Sequence, residues 1–412
     1  MACTIVEFLQ SNLRFSSGCT EPAAIALAAS WVKKQVSGTI TSIRLRIDPK
    51  TYKNAYAVGI PNSDGLYGNE WALLFGLSVG KPELSLEIFS ILDESLRKNA
   101  IAQALETPVE TTITRHSCLY IEVIVTTTTE TIVSVIRNTH TNLVTLTVNG
   151  KSKKQRVRNS SKQQAPALCC KPDPSWYEPN KWPELIEHLY QDNKLMDIIR
   201  TGITYNIAVA EFGKKYISIN DDYGVSAAIF TRMSGDSVPV MSCAGSGNKG
   251  LTSVLPAVCF AQQHNASQEK QEKAVLLSTL LTSLVTARFG AVSSVCGAFY
   301  GAGVGLIAAF LMILKKSDLF FSAYKNYIAA VTGAYCDGAK GSCSVKGRTA
   351  VQAALKSIQL AETGFSVSER DGILGNSFPE TLDNLAQYTE HFCAFDDETI
   401  RVLKAKTCFE TN

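Results

Sequence analysis

Three late cysteines are the residues of this 412-residue chain whose type and setting point most directly to chemistry. Cys296 is followed by Gly297, Cys336 lies 40 residues on, and Cys343 a further 7. Each stands in a Gly-rich turn, where backbone can approach a bulky inorganic group closely. Soft thiolates suit an iron–sulfur cluster or zinc. Three ligands rather than four would leave one iron of a cubane open, and an open metal position can bind substrate and act as a Lewis acid. No Cys-x-x-Cys pair occurs, which argues against a zinc ribbon or finger. Taken singly, a cysteine beside a glycine is more often a small buried residue. The metal reading rests on three of them together, in loops that open helices.

A fourth cysteine has a different setting. In Gly18-Cys19-Thr20-Glu21-Pro22, Pro22 opens an Ala-rich helical run and Thr20 suits an N-cap. Cys19 then falls at or just before a helix N-terminus, which favours thiolate over thiol and lowers its pKa. It could act there as base or nucleophile; the alternative is a small residue packed at a helix start.

Gly245-Ser246-Gly247-Asn248-Lys249-Gly250 matches GxGxxG, with Glu269 or Glu272 about as far on as a dinucleotide fingerprint requires. No second strand pattern precedes that acid. A milder reading is that free N–H groups at a helix start, near Asn248, hold a carboxylate or phosphate. Cys243, just upstream, reads as packing. His140-Thr141-Asn142 forms a turn that either serves a pocket or lies plainly on the surface. The five histidines show no HExxH spacing, and neither GxSxG nor a Walker A sequence occurs. A lysine for pyridoxal phosphate stays open, because no local rule marks one.

These residues need elements to hold them. The spacing predicts a short helix over 2–13, a strand over 40–48, loops around 57–68, helix around 82–106, and two strands, paired antiparallel, over 110–126 and 130–149. Helices are expected over 183–213, 220–233, 250–263, 268–288, 298–315, 318–332 and 347–363. The fold class is α+β: an α/β domain with a mixed sheet over 1–150, a basic linker or insertion over 151–181, and an α-rich domain over 182–412 carrying the late cysteines.

Composition bounds the rest. With 45% apolar residues the chain can bury a full core, and 40 basic against 37 acidic side chains leave a net charge of +3. That balance gives no reason to expect a nucleic-acid partner. The most apolar stretch, 297–314, carries several glycines and reads as a buried helix rather than a membrane span. The N-terminal residues lack the basic start of a signal peptide, so cytoplasm is the expected compartment. Twelve cysteines are too sparse for a disulfide scaffold.

The motifs GCTEPAAIALAAS (18–30), VGIP (58–61), HTN (140–142), RMSG (232–235), AGSGNKG (244–250), SSVCGA (293–298) and CDGAKGSCSVK (336–346) occur in one order. Together they resemble the L-cysteine desulfidase family, which is related to the iron–sulfur-dependent L-serine dehydratases. The resemblance implies a 4Fe–4S enzyme, independent of pyridoxal phosphate, that converts L-cysteine and water to pyruvate, ammonia and sulfide. It implies Cys296, Cys336 and Cys343 as cluster ligands and Cys19 as proton acceptor. Thr20, Asn54, His140, Asn142 and Asn248 are then the expected substrate-binding residues. Expected partners are a small amino-acid substrate, with neither nucleic acid nor membrane; a homo-oligomer stays open. Competing readings are an L-serine dehydratase with the same cluster, a non-catalytic or redox-sensing iron–sulfur protein, a structural zinc site at the three cysteines, and a dinucleotide-binding protein.

Overall fold

The structure, a computed structural model, describes residues 3–116, 118–153, 171–219, 223–290 and 292–406. A short helix, α1 (Ile5–Asn12), leads through β1 (Leu13–Ser17) into α2 (Thr20–Lys33). β2 (Ile40–Ile47) buries Ile43, Leu45 and Ile47 while Arg44 and Arg46 between them face out, the period of two that fixes strand register. α3 (Pro49–Tyr56), α4 (Asn69–Val79) and α5 (Glu94–Glu106) follow, with a 3-10 segment at Pro82–Ile91. The two strands expected over 110–149 are four: β3 (Val109–Ile113), β4 (Tyr120–Thr127), β5 (Thr131–Arg137) and β6 (Leu143–Val148). Thr/Val/Ile composition marks extended chain but not the turns that interrupt it. With β7 (Lys151–Ser152) they form a mixed sheet ordered β3-β2-β4-β5-β6-β7, in which only β2 and β3 run parallel.

The helix that begins at Cys19 is a core element. Residues Ala23–Ala29 of α2 are buried all round, as expected of a helix with no polar face. Its alanines let α4 come close: a Cβ on Gly76 would lie 2.3 Å from the Ala26 carbonyl oxygen. Ser134 of β5 donates to the Ala28 carbonyl at 2.8 Å and ties α2 to the sheet.

The second half is helical: α6 (Trp182–Tyr190), α7 (Asn193–Gly213), α8 (Val225–Met233), then β8 (Pro239–Cys243), α9 (Gly247–Gln263) and α10 (Gln268–Phe289). A π-helical turn at Ala298–Gly303 runs into α11 (Val304–Leu314), followed by α12 (Phe320–Val331), α13 (Cys343–Glu362), α14 (Phe378–His391) and α15 (Cys393–Ala405). The fold is α+β. Among the described residues no helix is long and apolar enough to cross a membrane.

Two hydrophobic cores underlie the two halves, and the chain ends cross between them. Phe8, Leu9 and Leu13 pack in the helical core, where β1 pairs antiparallel with β8, while Ile400 of α15 packs in the core under the sheet. Of the segment expected as a basic linker, 154–170 lies outside the described residues.

One buried network makes a prediction about acid stability. Glu272 of α10, 2% exposed, accepts from Arg200 Nε and Nη2 at 3.0 Å each, from Gln268 at 3.0 Å and from Tyr190 at 3.2 Å. Burial alone would raise its pKa, but these donors hold it below the ordinary carboxylate value. A carboxylate depressed in the folded state adds stability above its unfolded pKa, about 4.3, and that stability is lost as pH falls through the folded value. Glu272→Gln is expected to cost about 1.5–3 kcal/mol at neutral pH and less in acid. Denaturant titrations near pH 7 and about pH 3 check it; an equal cost at both contradicts it.

Candidate active site

Cys19 reaches its position through a tight turn. Gly18 adopts φ 74°, and a Cβ there would lie 2.4 Å from Pro61 Cγ, so only glycine fits between β1 and α2. Cys19 is the N-cap of α2, not Thr20, because the turn at Gly18 starts the helix one residue early. The thiol does not cap; it donates to Glu21 Oε2 at 2.9 Å. Thr20 Oγ1 donates to the same oxygen at 3.0 Å, and Asn54 Nδ2 to Oε1 at 3.1 Å. His140 Nε2 stands 3.9 Å from Oε1 and has no hydrogen-bond partner among the described residues.

The late cysteines sit on two loops that are stitched together. Cys296 N–H donates to the Ala334 carbonyl at 3.0 Å and Cys336 N–H to the Ser294 carbonyl at 2.7 Å, around a bridge between Val295 and Tyr335. Gly338 has φ 105°, and a Cβ there would lie 2.3 Å from the Lys53 carbonyl oxygen. Cys343 is the first residue of α13, and its thiol contacts the Gly338 carbonyl at 3.6 Å.

A buried ion pair clamps this pair of loops. Lys53 Nζ is paired with Asp396 of α15 and also donates to the Cys336 carbonyl at 2.6 Å. Ser294 Oγ donates to the other Asp396 oxygen at 2.7 Å. Both charged side chains are withdrawn from water, so removing one partner strands the other. Asp396→Ala is expected to destabilise the protein by about 3–5 kcal/mol, and the double change Lys53→Met with Asp396→Leu by much less. Equilibrium unfolding of the three proteins checks this; an equal loss in the double variant contradicts it.

All four cysteines line one cavity. Cys19, Thr20, Glu21 and Asn54 form one side; Arg232, Asn248 and Lys249 border it; Cys296, Cys336 and Cys343 complete the wall. Burial and the adjacent Glu21 charge push the Cys19 thiol well above its usual pKa, with Arg232 opposing weakly. The lowering expected at a helix N-terminus is therefore outweighed. Glu21 shows the reverse balance: burial opposes ionisation, but His140, Cys19 and Thr20 hold it below the ordinary value. Burial lowers the His140 pKa, with the Glu21 and Asp48 charges opposing. Burial also pulls Lys249 down to about 8, although its Nζ donates to the Ala244 carbonyl at 2.7 Å and Thr286 Oγ1 at 3.3 Å.

The three late thiols suit a cluster by their chemistry. All are free, and Cys296 is pushed up to about 12 by burial and by the charges Cys336 and Cys343 would carry. Thiols this close and this buried are expensive to ionise without a cation between them. Among the described residues no three His, Cys, Asp or Glu side chains stand around a single-ion position. In a cubane each protein sulfur takes its own iron.

The cavity thus brings together Cys19, Thr20, Asn54, Asn248, Cys296, Cys336 and Cys343. His140 stands behind Glu21 rather than at the wall. Asn142 is not in the site: it is exposed, and its Nδ2 donates to the Arg137 carbonyl at 3.0 Å, closing the β5–β6 turn. The dinucleotide reading fails as well, because β8 pairs only with β1, antiparallel, and α9 is followed directly by α10, which carries Glu269 and Glu272. Glu21, Arg232, Lys53 and Asp396 were not singled out from sequence. Glu21 and Arg232 lay inside the GCTEP and RMSG motifs; Asp396 is 343 residues from its partner, and nothing local marks such a pair.

Comparison with known proteins fits this geometry. A UPF0597 protein of Desulfotalea psychrophila is 30% identical over 98% of this chain and 99% of its own length. One of Geobacter sulfurreducens is 29% identical over 96% of both, and one of Clostridioides difficile 30% over 96% and 97%. The family model described as serine dehydratase alpha chain matches residues 89–399. The class is that of serine dehydratase-like lyases. The chain belongs to the serine dehydratase alpha chain family.

Proposed function

We propose that this chain eliminates the β-substituent of a small L-amino acid without pyridoxal phosphate, giving pyruvate and ammonia, with L-cysteine as a substrate that also releases sulfide. The observation that carries the reading is the single cavity shared by Cys19 and the Cys296, Cys336 and Cys343 trio. These three would hold a 4Fe–4S cluster. When bound, it supplies Lewis acidity at an iron that lacks a protein ligand.

The chain's own residues handle the proton. Cys19 is held as a thiol against ionised Glu21, 2.9 Å away. As the Cα–H bond breaks, Cys19 sulfur takes that proton while its own passes to Glu21. The Cα electron pair forms the Cα–Cβ double bond, and the leaving group departs from Cβ with its electrons. Glu21 then returns a proton to hydrosulfide or hydroxide. The aminoacrylate left behind tautomerises to an imine, and water hydrolyses it to pyruvate and ammonia. Glu21 is the net proton acceptor in this relay, so a free thiolate need not exist beforehand. Thr20 and Asn54 keep the Glu21 carboxylate oriented, and His140 offsets its charge from behind.

The family match favours a second substrate, L-serine, with hydroxide as the leaving group. Anaerobic reconstitution with iron and sulfide, then assay of pyruvate, ammonia and sulfide from each amino acid, tests both. Pyruvate from either supports the reading. A brown, loaded protein that yields pyruvate from neither contradicts it.

A further inference from the structure

Arg232 is a buried cation that no carboxylate contacts among the described residues, although the Glu21 charge is near enough to act on it through space. It is 2% exposed, it borders the active-site cavity, and it takes part in no ion pair among the described residues. Its Nη1 donates to Asn248 Oδ1 at 3.0 Å, while Nε has no hydrogen-bond partner among the described residues. The other buried cation at the cavity, Lys249, is already bonded to Ala244 and Thr286. Burying a guanidinium with unused donors is costly, and a protein keeps one where an anion completes it.

The surroundings say what kind of anion. A Cβ on Gly247 would lie 2.3 Å from Arg232 Nε, so the first residue of α9 is pressed against the guanidinium. In the first turn of this 17-residue helix the Lys249 amide is capped by Ser246 Oγ at 3.4 Å, while Asn248 borders the cavity beside Arg232. A planar guanidinium matches a carboxylate in two hydrogen bonds.

We propose that Arg232, with Asn248 and the first turn of α9, binds the α-carboxylate of the substrate. This deepens the elimination reading and rests on it for the ligand's identity. It restricts the substrate class to α-amino acids with a free carboxylate; amides and simple amines are excluded.

The test uses L-alanine, which carries the carboxylate and lacks a leaving group, and alaninamide, which lacks the charge. Their binding to wild type, Arg232→Met and Arg232→Lys is measured by calorimetry, with thermal unfolding of each ligand-free protein alongside. Arg232→Met is expected to weaken L-alanine roughly 100-fold, to leave alaninamide unchanged, and to be at least as stable as wild type without ligand. Arg232→Lys retains part of the affinity. In turnover, Arg232→Met raises KM far more than it lowers kcat. Wild-type affinity for L-alanine in Arg232→Met overturns the proposal, as does failure of wild type to bind L-alanine. If Arg232→Met does not fold, undiminished affinity in Arg232→Lys overturns it and a partial loss supports it. Arginine-dependent L-alanine binding in a protein that turns nothing over would sink the lyase reading and leave the subsite standing.

Discussion

Cys19→Ala and Glu21→Gln are each expected to lower kcat/KM by about 100- to 10,000-fold, with the double variant little worse than the more damaged single one. The reason is the shared proton. Cys19 without Glu21 is a buried thiol with nowhere to send its hydrogen, and Glu21 without Cys19 is a carboxylate aimed at nothing. Two groups that act as a unit are lost together by losing either, so their effects do not add. Glu21→Gln keeps the shape and leaves room for the bonds from Thr20 and Asn54, so the loss reports charge rather than collapse. Single-turnover measurement of pyruvate in the loaded enzyme checks this. Losses that multiply in the double variant would mean two independent roles, and full activity of Cys19→Ala would remove the base assignment.

The second large effect concerns the late thiols. Cys296→Ser, Cys336→Ser and Cys343→Ser are each expected to abolish iron retention after anaerobic reconstitution and, with it, product formation. Cys118→Ser and Cys259→Ser, both away from the cavity wall, are expected to keep iron and activity. A hard hydroxyl replaces a soft thiolate poorly at iron, so serine is a stringent yet nearly isosteric change. Iron and acid-labile sulfide counts per chain check this independently of turnover. Iron retained by all three ligand variants would show that these sulfurs do not hold it.

Much of this was legible in the sequence where chemistry is local. The order of Gly-rich motifs located the late cysteines, and Pro22 with the alanine run located the helix start beside Cys19 within a residue. Period-two alternation found β2, and the helical pattern found α10 and α11 but read α6 and α7 as one helix, missing the break that Asp192 caps. What stayed hidden was set by contacts distant in sequence. The helix-terminus argument gave Cys19 a lowered pKa, because it could not include burial or the carboxylate two residues on. Asn142 looked like a pocket residue because a turn's exposure is decided by tertiary packing. Arg232 opens the RMSG motif, but nothing local marks its role; its significance lies in the ion pair it does not make among the described residues. The strand count over 110–149 failed because composition there is uniform while the turns are not.

Crystals grown and kept without oxygen, measured across the iron absorption edge, test the central claim most directly. The account predicts anomalous iron density in the cavity, joined to Cys296, Cys336 and Cys343, with the Cys19 sulfur facing it unbound. Iron bound elsewhere, or an active protein whose cavity holds none, would contradict it.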